Sequence, residues 1–361
     1  MRTFSSLIFI STVLISGSLF AQTKSWTQSA STGSFTSKSL IPEMSTEESY
    51  TQRYSFSADL DGGGNVGVDF TISNLGWGDG NGGVELRVKL PGQTKYKFQK
   101  KKDDDEWTYS KNNFKLNIAG TTIKAAGKNK FQLIHKSGKA SLNLVFTNHI
   151  PKWRPGKGQV TVDGDKYYKY GIIAPRADVE GTITIGGKTL QVKSTGKGFA
   201  DYVATNIAPY DLATRFSRFR DFNGDLFVAW REIRLTEDKG GKSLVWVVLG
   251  YKDKIVFSDA NARMKEGKIK SDGKTGYRIP YAVQIDGKKG GDKIRLILRG
   301  KSVKRKDMLK SMGSPVKSIA SLVAKPFSFN FGGEYTLQMN IGGTKATLKG
   351  KSNYTLDYIN K

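Results

Sequence analysis

Apolar and polar residues alternate along most of this chain, and that period of two constrains its fold more than any other feature. The run VELRVKL at 84–90 alternates cleanly, as a half-buried β-strand does. The runs GTITIGGKTLQVK at 181–193 and YTLQMNIGGTKATLKG at 335–350 alternate on both sides of a Gly-Gly pair, which indicates β-hairpins. The run SLVWVVLGY at 243–251 is apolar on both faces and predicts a deeply buried strand.

These strand patterns predict an all-β fold with antiparallel barrels or sandwiches, because helices do not alternate with the strands. The 361 residues are enough for two such units. Loop-like sequence rich in Pro, Gly and charge places the division near residue 175, with one barrel over 48–175 and a second over 176–361. One short helix is predicted in the C-terminal part, capped by Ser314 and stopped by Pro326.

The N-terminus has the form of a secretory signal peptide over residues 1–21, with a basic start, a short apolar run and small residues before the cleavage point. An uncleaved membrane anchor is the alternative. The following segment, 22–47, is rich in Ser and Thr and is expected to be flexible. The chain has no cysteine, so its fold does not depend on disulfides. We therefore expect an exported protein of a bacterial periplasm or outer membrane, or a secreted one.

The chain is strongly basic, with 58 Lys and Arg against 32 Asp and Glu and a net charge of +26. Such a charge suits nucleic acid or an anionic lipid surface, and an exported protein meets lipid rather than nucleic acid. Most lysines alternate with apolar residues, which is typical of the solvated outer faces of strands. The basic run before the predicted helix is the candidate membrane contact, and it contains Lys301, Lys304, Arg305 and Lys306.

The residues of common catalytic and metal sites are scarce. There are two histidines and no cysteine, so a zinc site is not predicted, and we expect no metal and no cofactor. His135 and His149 are interpreted as structural or surface residues. The serine-nucleophile motif GxSxG and a phosphate-binding loop are both absent from the sequence.

One segment, 196–235, combines five arginines with several carboxylates and many aromatic residues. Some of these charges must point inward, and a buried arginine needs a carboxylate partner. Arg215 or Arg231 with Asp201 or Glu232 is the expected kind of pair. A few polar groups among aromatic walls are typical of a pocket for an amphipathic ligand, while structural ion pairs on a barrel rim remain the alternative.

The order of three motifs in this region, GTITIGGKTLQ, NIAPYDLATRFSRFRDF and FVAWREIRL, resembles the survival-factor family of fungi. That family has a Pro, then small residues and an Arg-aromatic pair, at positions that here are Pro209, Ala213, Arg215 and Phe216. The resemblance extends to ISNLGWGDGNGGVELRVKL in the first half and to GSPVKSIASLVAKPFSFNF in the second. It implies two tandem lipocalin-like β-barrels and a sphingolipid such as ceramide as ligand. The family's histidines next to the Pro are replaced here by Tyr210 and Asp211.

The same type of fold occurs in carotenoid hydratases of the hydroxyneurosporene-synthase type, whose Asp-His pair is similar to Asp201 and Tyr202 here, with Tyr in place of His. Three functions follow from these patterns. The first is a carrier of a lipid or isoprenoid in a barrel cavity with a polar aromatic mouth. The second is a hydratase or isomerase with Asp201 as the acid, and the third is a basic protein that adheres to anionic membranes. The predicted ligand-binding residues are Asp201, Tyr202, Asn206, Tyr210, Arg215, Phe216, Arg218, Trp230 and Glu232.

Overall fold

The computed structural model describes residues 36–75, 79–311 and 325–360. Within these ranges the chain forms two large antiparallel sheets, each curled into a half-barrel, and one short α-helix. The all-β prediction is therefore confirmed. The predicted signal peptide and the predicted helix that begins at Ser314 lie outside the described residues. No helix of the described residues is long and apolar enough to cross a membrane.

The first sheet contains twelve strands in the described residues. They are β1 (Thr51–Asp59), β2 (Asn65–Ser73), β3 (Asn81–Lys89), β4 (Tyr96–Lys102), β5 (Thr108–Tyr109), β6 (Lys115–Ile118), β7 (Thr121–Ala125), β8 (Lys130–Lys136), β9 (Ala140–Asn148), β10 (Gln159–Asp163), β11 (Lys166–Ile185) and β12 (Lys188–Thr205). Their order is β4-β3-β2-β1-β12-β11-β9-β8-β7-β6-β5, and β10 pairs with β11.

The second sheet contains nine strands and follows the single-turn helix α1 (Pro209–Leu212). They are β13 (Ala213–Asn223), β14 (Leu226–Leu235), β15 (Ser243–Tyr251), β16 (Lys254–Asp259), β17 (Arg263–Ser271), β18 (Arg278–Lys289), β19 (Asp292–Asp307), β20 (Phe327–Ile341) and β21 (Thr344–Tyr358). Their order is β16-β15-β14-β13-β21-β20-β19-β18-β17. Three short 3₁₀ helices, Ser37–Leu40, Glu237–Lys239 and Met308–Ser311, complete the described elements.

Alternation places one apolar set of side chains on the concave face of each sheet. Burial alternates residue by residue along β1, β2 and β3, as the sequence of β3 predicts. The concave face of the first sheet packs an aromatic core that includes Tyr54, Phe56 and Phe131. The concave face of the second sheet packs Phe219, Trp230 and further residues in the same way.

A third apolar layer lies between the two sheets. Side chains of β11 and β12, which point away from the first core, meet those of β13, β14 and β15, which point away from the second. Trp153 and Tyr170 pack on Trp246 there, with ring centroids 5.0 and 4.8 Å apart. Strand β15 contributes to both layers, and residues 244–250 are buried without a break, so the prediction of a strand buried on both faces is confirmed.

The sequence placed the boundary between the two units at 175/176, but that point falls inside β11. Strands β11 and β12 form a long hairpin of the first sheet, and the second sheet begins at Ala213. The loop-like residues around 172–179 form irregularities in the β11–β12 register, which is where a sheet accommodates proline. The hairpin turn is the predicted Gly pair, with φ of 58° at Gly186 and 79° at Gly187.

The part of the expected flexible segment that the structure describes, residues 36–47, packs on the first sheet. Leu40 is fully buried, and its carbonyl accepts a hydrogen bond from the Tyr54 hydroxyl at 2.5 Å. The Glu47 carboxylate pairs with Lys166 at 2.8 Å. Each of its two oxygens also accepts a hydrogen bond from the Asn206 side-chain amide, at 2.9 Å. This stretch therefore closes one end of the first half-barrel.

Candidate functional site

The charged segment that the sequence singles out divides between the two faces of the second sheet, because neighbouring residues of a strand point to opposite sides. On β14, Trp230 and Glu232 face the concave core, whereas Arg231 faces the first sheet. On β13, Arg215 and Ser217 face the concave core, whereas Phe216 faces the first sheet. Two separate polar groups result, and only one of them lies between the sheets.

The polar group between the sheets is built around Asp201 of β12. Its Oδ2 accepts a hydrogen bond from the Tyr170 hydroxyl at 3.1 Å and lies 3.5 Å from the Arg231 guanidinium. The Arg231 guanidinium stacks over the Tyr170 ring at 4.4 Å and donates to the Tyr168 hydroxyl at 3.4 Å. Because Asp201 and Arg231 are both 7% exposed, the pair is largely withdrawn from water and links the two sheets.

Burial and charge shift the pKa values of this group in a consistent way. Burial raises the pKa of Tyr170 well above its ordinary value, and the negative charge of Asp201 adds to that rise. Burial disfavours the charged form of Arg231, but Tyr168, Tyr170 and Asp201 outweigh it and raise its pKa. The tyrosines are therefore neutral hydroxyl donors and Arg231 is a permanent cation.

An open cleft of about 370 Å³ lies against this group. Aromatic residues of both sheets form part of its wall, and Arg220 lies over the Phe199 ring at 4.3 Å. The lining residues are Asp59, Tyr170, Phe199, Asp201, Arg218, Phe219, Arg220, Asp221, Phe222, Ala229, Trp230, Arg231, Trp246, Lys351, Asn353 and Thr355. The cleft thus combines aromatic surface with charged groups of both signs.

The cleft exists because β13 and β21 separate. They pair only from Arg215 to Phe219 on β13, against Tyr358 to Tyr354 on β21. Beyond that point β13 continues to Asn223 paired with β14 alone, and β21 stays paired with β20. Side chains of both faces of the sheet, such as Phe219 from the concave core and Trp246 from the layer between the sheets, consequently line one opening.

The second polar group lies on the concave face of the second sheet, away from the cleft. The Arg215 guanidinium holds Glu232 with two bonds, Nε to Oε2 at 2.9 Å and Nη2 to Oε1 at 2.7 Å. Arg215 also bonds Glu266 of β17 at 2.5 Å. The hydroxyls of Ser217 and Ser243 donate to Glu232 at 2.6 and 2.7 Å, so every oxygen of this buried carboxylate has a partner.

The charge of the second group is fixed by its pairing. Burial favours the neutral acid form of Glu232, but the charge and hydrogen bonds of Arg215 outweigh it and hold the pKa of Glu232 below its usual value. The same pair raises the pKa of Arg215 despite burial. The group therefore joins β13 and β14 to the edge strand β17 by ionic bonds and stabilises the curvature of the second sheet.

The structure brings three of the nine predicted ligand-binding residues into the cleft, namely Asp201, Arg218 and Trp230. Both arginines have a carboxylate partner of the expected kind, and the structure assigns which: Arg215 pairs with Glu232, and Arg231 pairs with Asp201. Arg218 is half exposed and pairs with Asp357.

The other predicted residues lie elsewhere. Tyr202 points into the first core and stacks on Tyr54 with centroids 6.2 Å apart, and burial raises its pKa to about 12. The Asn206 side-chain amide donates hydrogen bonds to the Glu47 carboxylate. The Phe216 ring stacks on the Tyr168 ring, with centroids 6.3 Å apart.

Tyr210 belongs to the single turn α1, and its carbonyl accepts a bond from Asn360 at 2.7 Å. Of the predicted membrane contacts, Arg305 points inward and holds the Asp272 carboxylate at 2.7 and 3.0 Å. Lys301 pairs with Glu334 at 2.8 Å, while Lys304 and Lys306 are exposed.

Sequence reasoning missed the cleft residues that lie far from the charged segment, above all Tyr170 of β11 and Lys351 of β21. No local pattern marks them, because they meet the segment only through strand pairing. In the described residues no group of three or more His, Cys, Asp or Glu side chains is arranged to hold a metal ion.

The fold is shared with solved structures of low sequence identity. A crystal structure of CghA with Sch210972 superimposes with a TM-score of 0.60 at 12% identity, over 91% of this chain and 95% of that chain. Kievitone hydratase from Nectria haematococca gives a TM-score of 0.50 at 10% identity, over 90% of this chain and 95% of that one. At such identities the likeness concerns the fold alone.

A closer likeness in sequence links the chain to a curated relative. Ceramide-binding protein SVF1 of Yarrowia lipolytica is 25% identical to this chain over an alignment of 240 residues. The alignment covers 60% of this chain and 60% of that protein. The model of the Svf1 family matches residues 89–356, which include every cleft residue except Asp59, both polar groups and nearly all of the second sheet. The chain therefore belongs to the Svf1 family.

Proposed function

We propose that this chain is an exported carrier that binds an amphipathic lipid through the cleft between its two sheets. The observation that carries the proposal is the composition of that cleft. Aromatic residues of both sheets line it, and the buried Asp201–Arg231–Tyr170 group lies at its wall. Apolar walls with a few fixed polar groups are the usual means of orienting an amphipathic ligand.

The size of the cleft sets which part of the ligand it receives. A volume of about 370 Å³ holds about a dozen non-hydrogen atoms, at roughly 30 Å³ for each water-sized unit. That matches the polar end of a lipid rather than a whole two-chain molecule. The apolar chains then extend from the cleft along its aromatic wall.

The chemistry of the cleft favours a polar end that both donates and accepts hydrogen bonds. The carboxylates of Asp59, Asp201 and Asp221 are acceptors, and the side chains of Arg218 and Arg220 are donors. An amide with neighbouring hydroxyls, as in ceramide, offers both. Ceramide-like sphingolipids are therefore the first ligands to test, in agreement with the name of the Yarrowia relative.

The test compares two conservative substitutions, each of which removes one buried phenol hydroxyl from the first sheet. Tyr170→Phe removes a hydroxyl that lines the cleft and bonds Asp201, whereas Tyr202→Phe removes one that points into the first core. Binding of a short-chain fluorescent ceramide is measured by titration for both variants and the unmodified protein. The Tyr170 hydroxyl orients the Asp201 carboxylate, which the ligand is proposed to meet. Losing this bond, worth about 1 kcal/mol, predicts roughly fivefold weaker binding for Tyr170→Phe, whereas Tyr202→Phe should bind as the unmodified protein does.

Equal affinity of the two variants would place the ligand away from the cleft and contradict the proposal. Weakening by Tyr202→Phe alone would move the ligand to the concave face of the first sheet. Unfolding curves of both variants verify that the comparison is made on folded protein.

The position of Asp201 also supports a second candidate, a hydratase or isomerase acting on a hydrophobic substrate. Asp201 lies at the cleft wall, where it can reach a bound molecule. As the carboxylate partner of Arg231 it can take a proton from a substrate, and it can donate one to an alkene only after it has been protonated itself. This candidate predicts that Asp201→Asn abolishes turnover while substrate still binds. A carrier predicts that no turnover exists in the unmodified protein either.

A further inference from the structure

The hairpin turns of the second sheet gather at one end. Because adjacent strands run in opposite directions, the turns at 223–226, 251–254, 289–292 and 341–344 all point to the same end of the sheet. Strand β17 also begins there, since Arg263 pairs with Asp286 near the end of β18. We call this region the basic end.

A concave surface of about 1030 Å³ lies at the basic end. Six basic side chains line it against two acidic ones: Arg263, Lys265, Lys288, Lys293, Arg295 and Lys345 against Asp259 and Asp286. This imbalance exceeds that of the cleft, where carboxylates and cations are nearly equal in number.

The two acidic residues of this surface accept hydrogen bonds from neighbouring groups of the protein. Asp259 accepts bonds from the backbone amides of Asn261 and Lys288, both at 2.8 Å. Asp286 accepts a bond from the Arg295 guanidinium at 2.7 Å. The lysine side chains of the surface are exposed, so their positive charge is presented outward.

An exposed aromatic residue accompanies these charges. Tyr251, at the β15–β16 turn, is 43% exposed, and the Lys252 ammonium lies 5.5 Å from its ring centroid. Lys254 follows on the other side of the turn and is exposed as well. Tyrosine beside lysine is the combination that suits a membrane–water interface, where the ring enters the headgroup region and the ammonium meets lipid phosphates.

The cleft and the basic surface lie along the same strand, β21, and have no lining residue in common. The separation of β13 from β21 begins beyond Phe219 and continues toward the turns at 223–226 and 341–344. Along β21, Lys351 lines the cleft, and Lys345 lines the basic surface. A flat anionic partner at this end would therefore face the opening between the two strands.

We infer that the basic end is a docking surface for anionic lipid bilayers. This inference goes beyond ligand binding in the cleft and stands on the charge and exposure of the end itself. Only one consequence rests on the proposed function: docking here would turn the cleft opening toward the bilayer, from which a lipid could enter.

The test measures co-sedimentation of the full chain with vesicles of phosphatidylcholine alone and of phosphatidylcholine with phosphatidylserine. Binding is expected only to the anionic vesicles and is lost at high salt. The variant Lys288→Glu/Lys293→Glu/Lys345→Glu reverses three exposed charges of the basic end. Each surface lysine strengthens binding about fivefold, and the introduced glutamates repel the anionic surface as well, so this variant should lose at least about 100-fold in vesicle affinity.

The matched control is Lys301→Glu/Lys304→Glu/Lys306→Glu, which makes the same change of charge on β19 away from the basic end. It should retain most of the binding, and Tyr251→Ala should weaken it without any change in net charge. Equal loss in both triple variants would mean a general charge effect and overturn the inference. Binding to RNA but not to anionic vesicles, abolished by the basic-end variant, would overturn it in favour of a nucleic-acid partner.

This experiment is separate from the ceramide titration. The triple variant leaves the cleft lining unchanged, so it should bind the short-chain ceramide in solution as the unmodified protein does. A protein that binds anionic vesicles but no ceramide would retain the docking surface and refute the carrier. A protein that binds ceramide but no vesicles would do the reverse.

Discussion

Removal of the negative charge from Glu232 is expected to destabilise the second sheet strongly. Glu232 is 1% exposed and Arg215 is 2% exposed, and Glu232 accepts four hydrogen bonds, two from Arg215 and one each from Ser217 and Ser243. Breaking a buried ion pair by removing one partner costs about 3–5 kcal/mol. Glu266 still neutralises part of the Arg215 charge, so we expect a loss of about 3 kcal/mol for Glu232→Gln.

The loss is measured as the free energy of unfolding in urea, with Glu180→Gln as the control. Glu180 pairs with Lys193 at 3.7 Å on the surface, where both side chains are more than 60% exposed, and its loss should cost less than about 1 kcal/mol. The double variant Arg215→Met/Glu232→Leu replaces the pair by apolar groups and should recover much of the stability. If Glu232→Gln costs no more than Glu180→Gln, the pair is not buried and bonded as described.

The Arg215–Glu232 pair also makes the stability of the protein depend on pH in acid. The pKa of Glu232 is lower in the folded chain than its ordinary value of 4.5, so its contribution to stability is complete above that value and is lost as the pH falls through the folded pKa. The unmodified protein should therefore lose stability more steeply below pH 4.5 than Glu232→Gln does. Parallel curves for the two proteins would contradict the assignment.

Two further predictions concern the first sheet. Burial lowers the pKa of His135 below 6.5. The neutral ring therefore contributes fully to stability above pH 6.5, and this contribution falls as the pH drops from 6.5 toward the folded pKa. The free energy of unfolding in urea should decrease over this pH range in the unmodified protein and not in His135→Gln. Asn206→Ala removes both hydrogen bonds to Glu47 and should lower the free energy of unfolding by about 2 kcal/mol. Proteolysis within residues 36–47 should become faster. Unchanged cleavage would mean that other contacts hold this segment.

The strand content of this protein is readable from its sequence because alternation and Gly-Gly turns are local signals. The apolar run at 243–251 even predicts burial on both sides, since each face of β15 meets a different core. That Arg215 and Arg231 need carboxylate partners also follows from local reasoning, because a buried arginine requires one, but which of Asp201 and Glu232 each arginine meets comes from the structure.

The division of the polar residues between two faces could not be predicted in the same way. Alternation says that Asp201 and Tyr202 point to opposite sides, but not which side meets the other sheet. The cleft depends on where β13 parts from β21, a pairing of residues that lie more than 130 positions apart in the sequence. The boundary was placed near residue 175 because the sequence before it is rich in Pro, Gly and charge, and such a composition does not distinguish a linker from the turns and irregular strand positions around β10 and β11.

The proposed function requires that a lipid be bound to this chain. Native mass spectrometry of the full chain, purified from its natural source and followed by organic extraction, tests that requirement most directly. We predict one bound lipid class at one molecule per chain, with an amide and hydroxyls at its polar end, and less of that lipid per chain in Tyr170→Phe than in Tyr202→Phe. Recovery of the protein without lipid, or with equal amounts of lipid in both variants, would contradict the proposal.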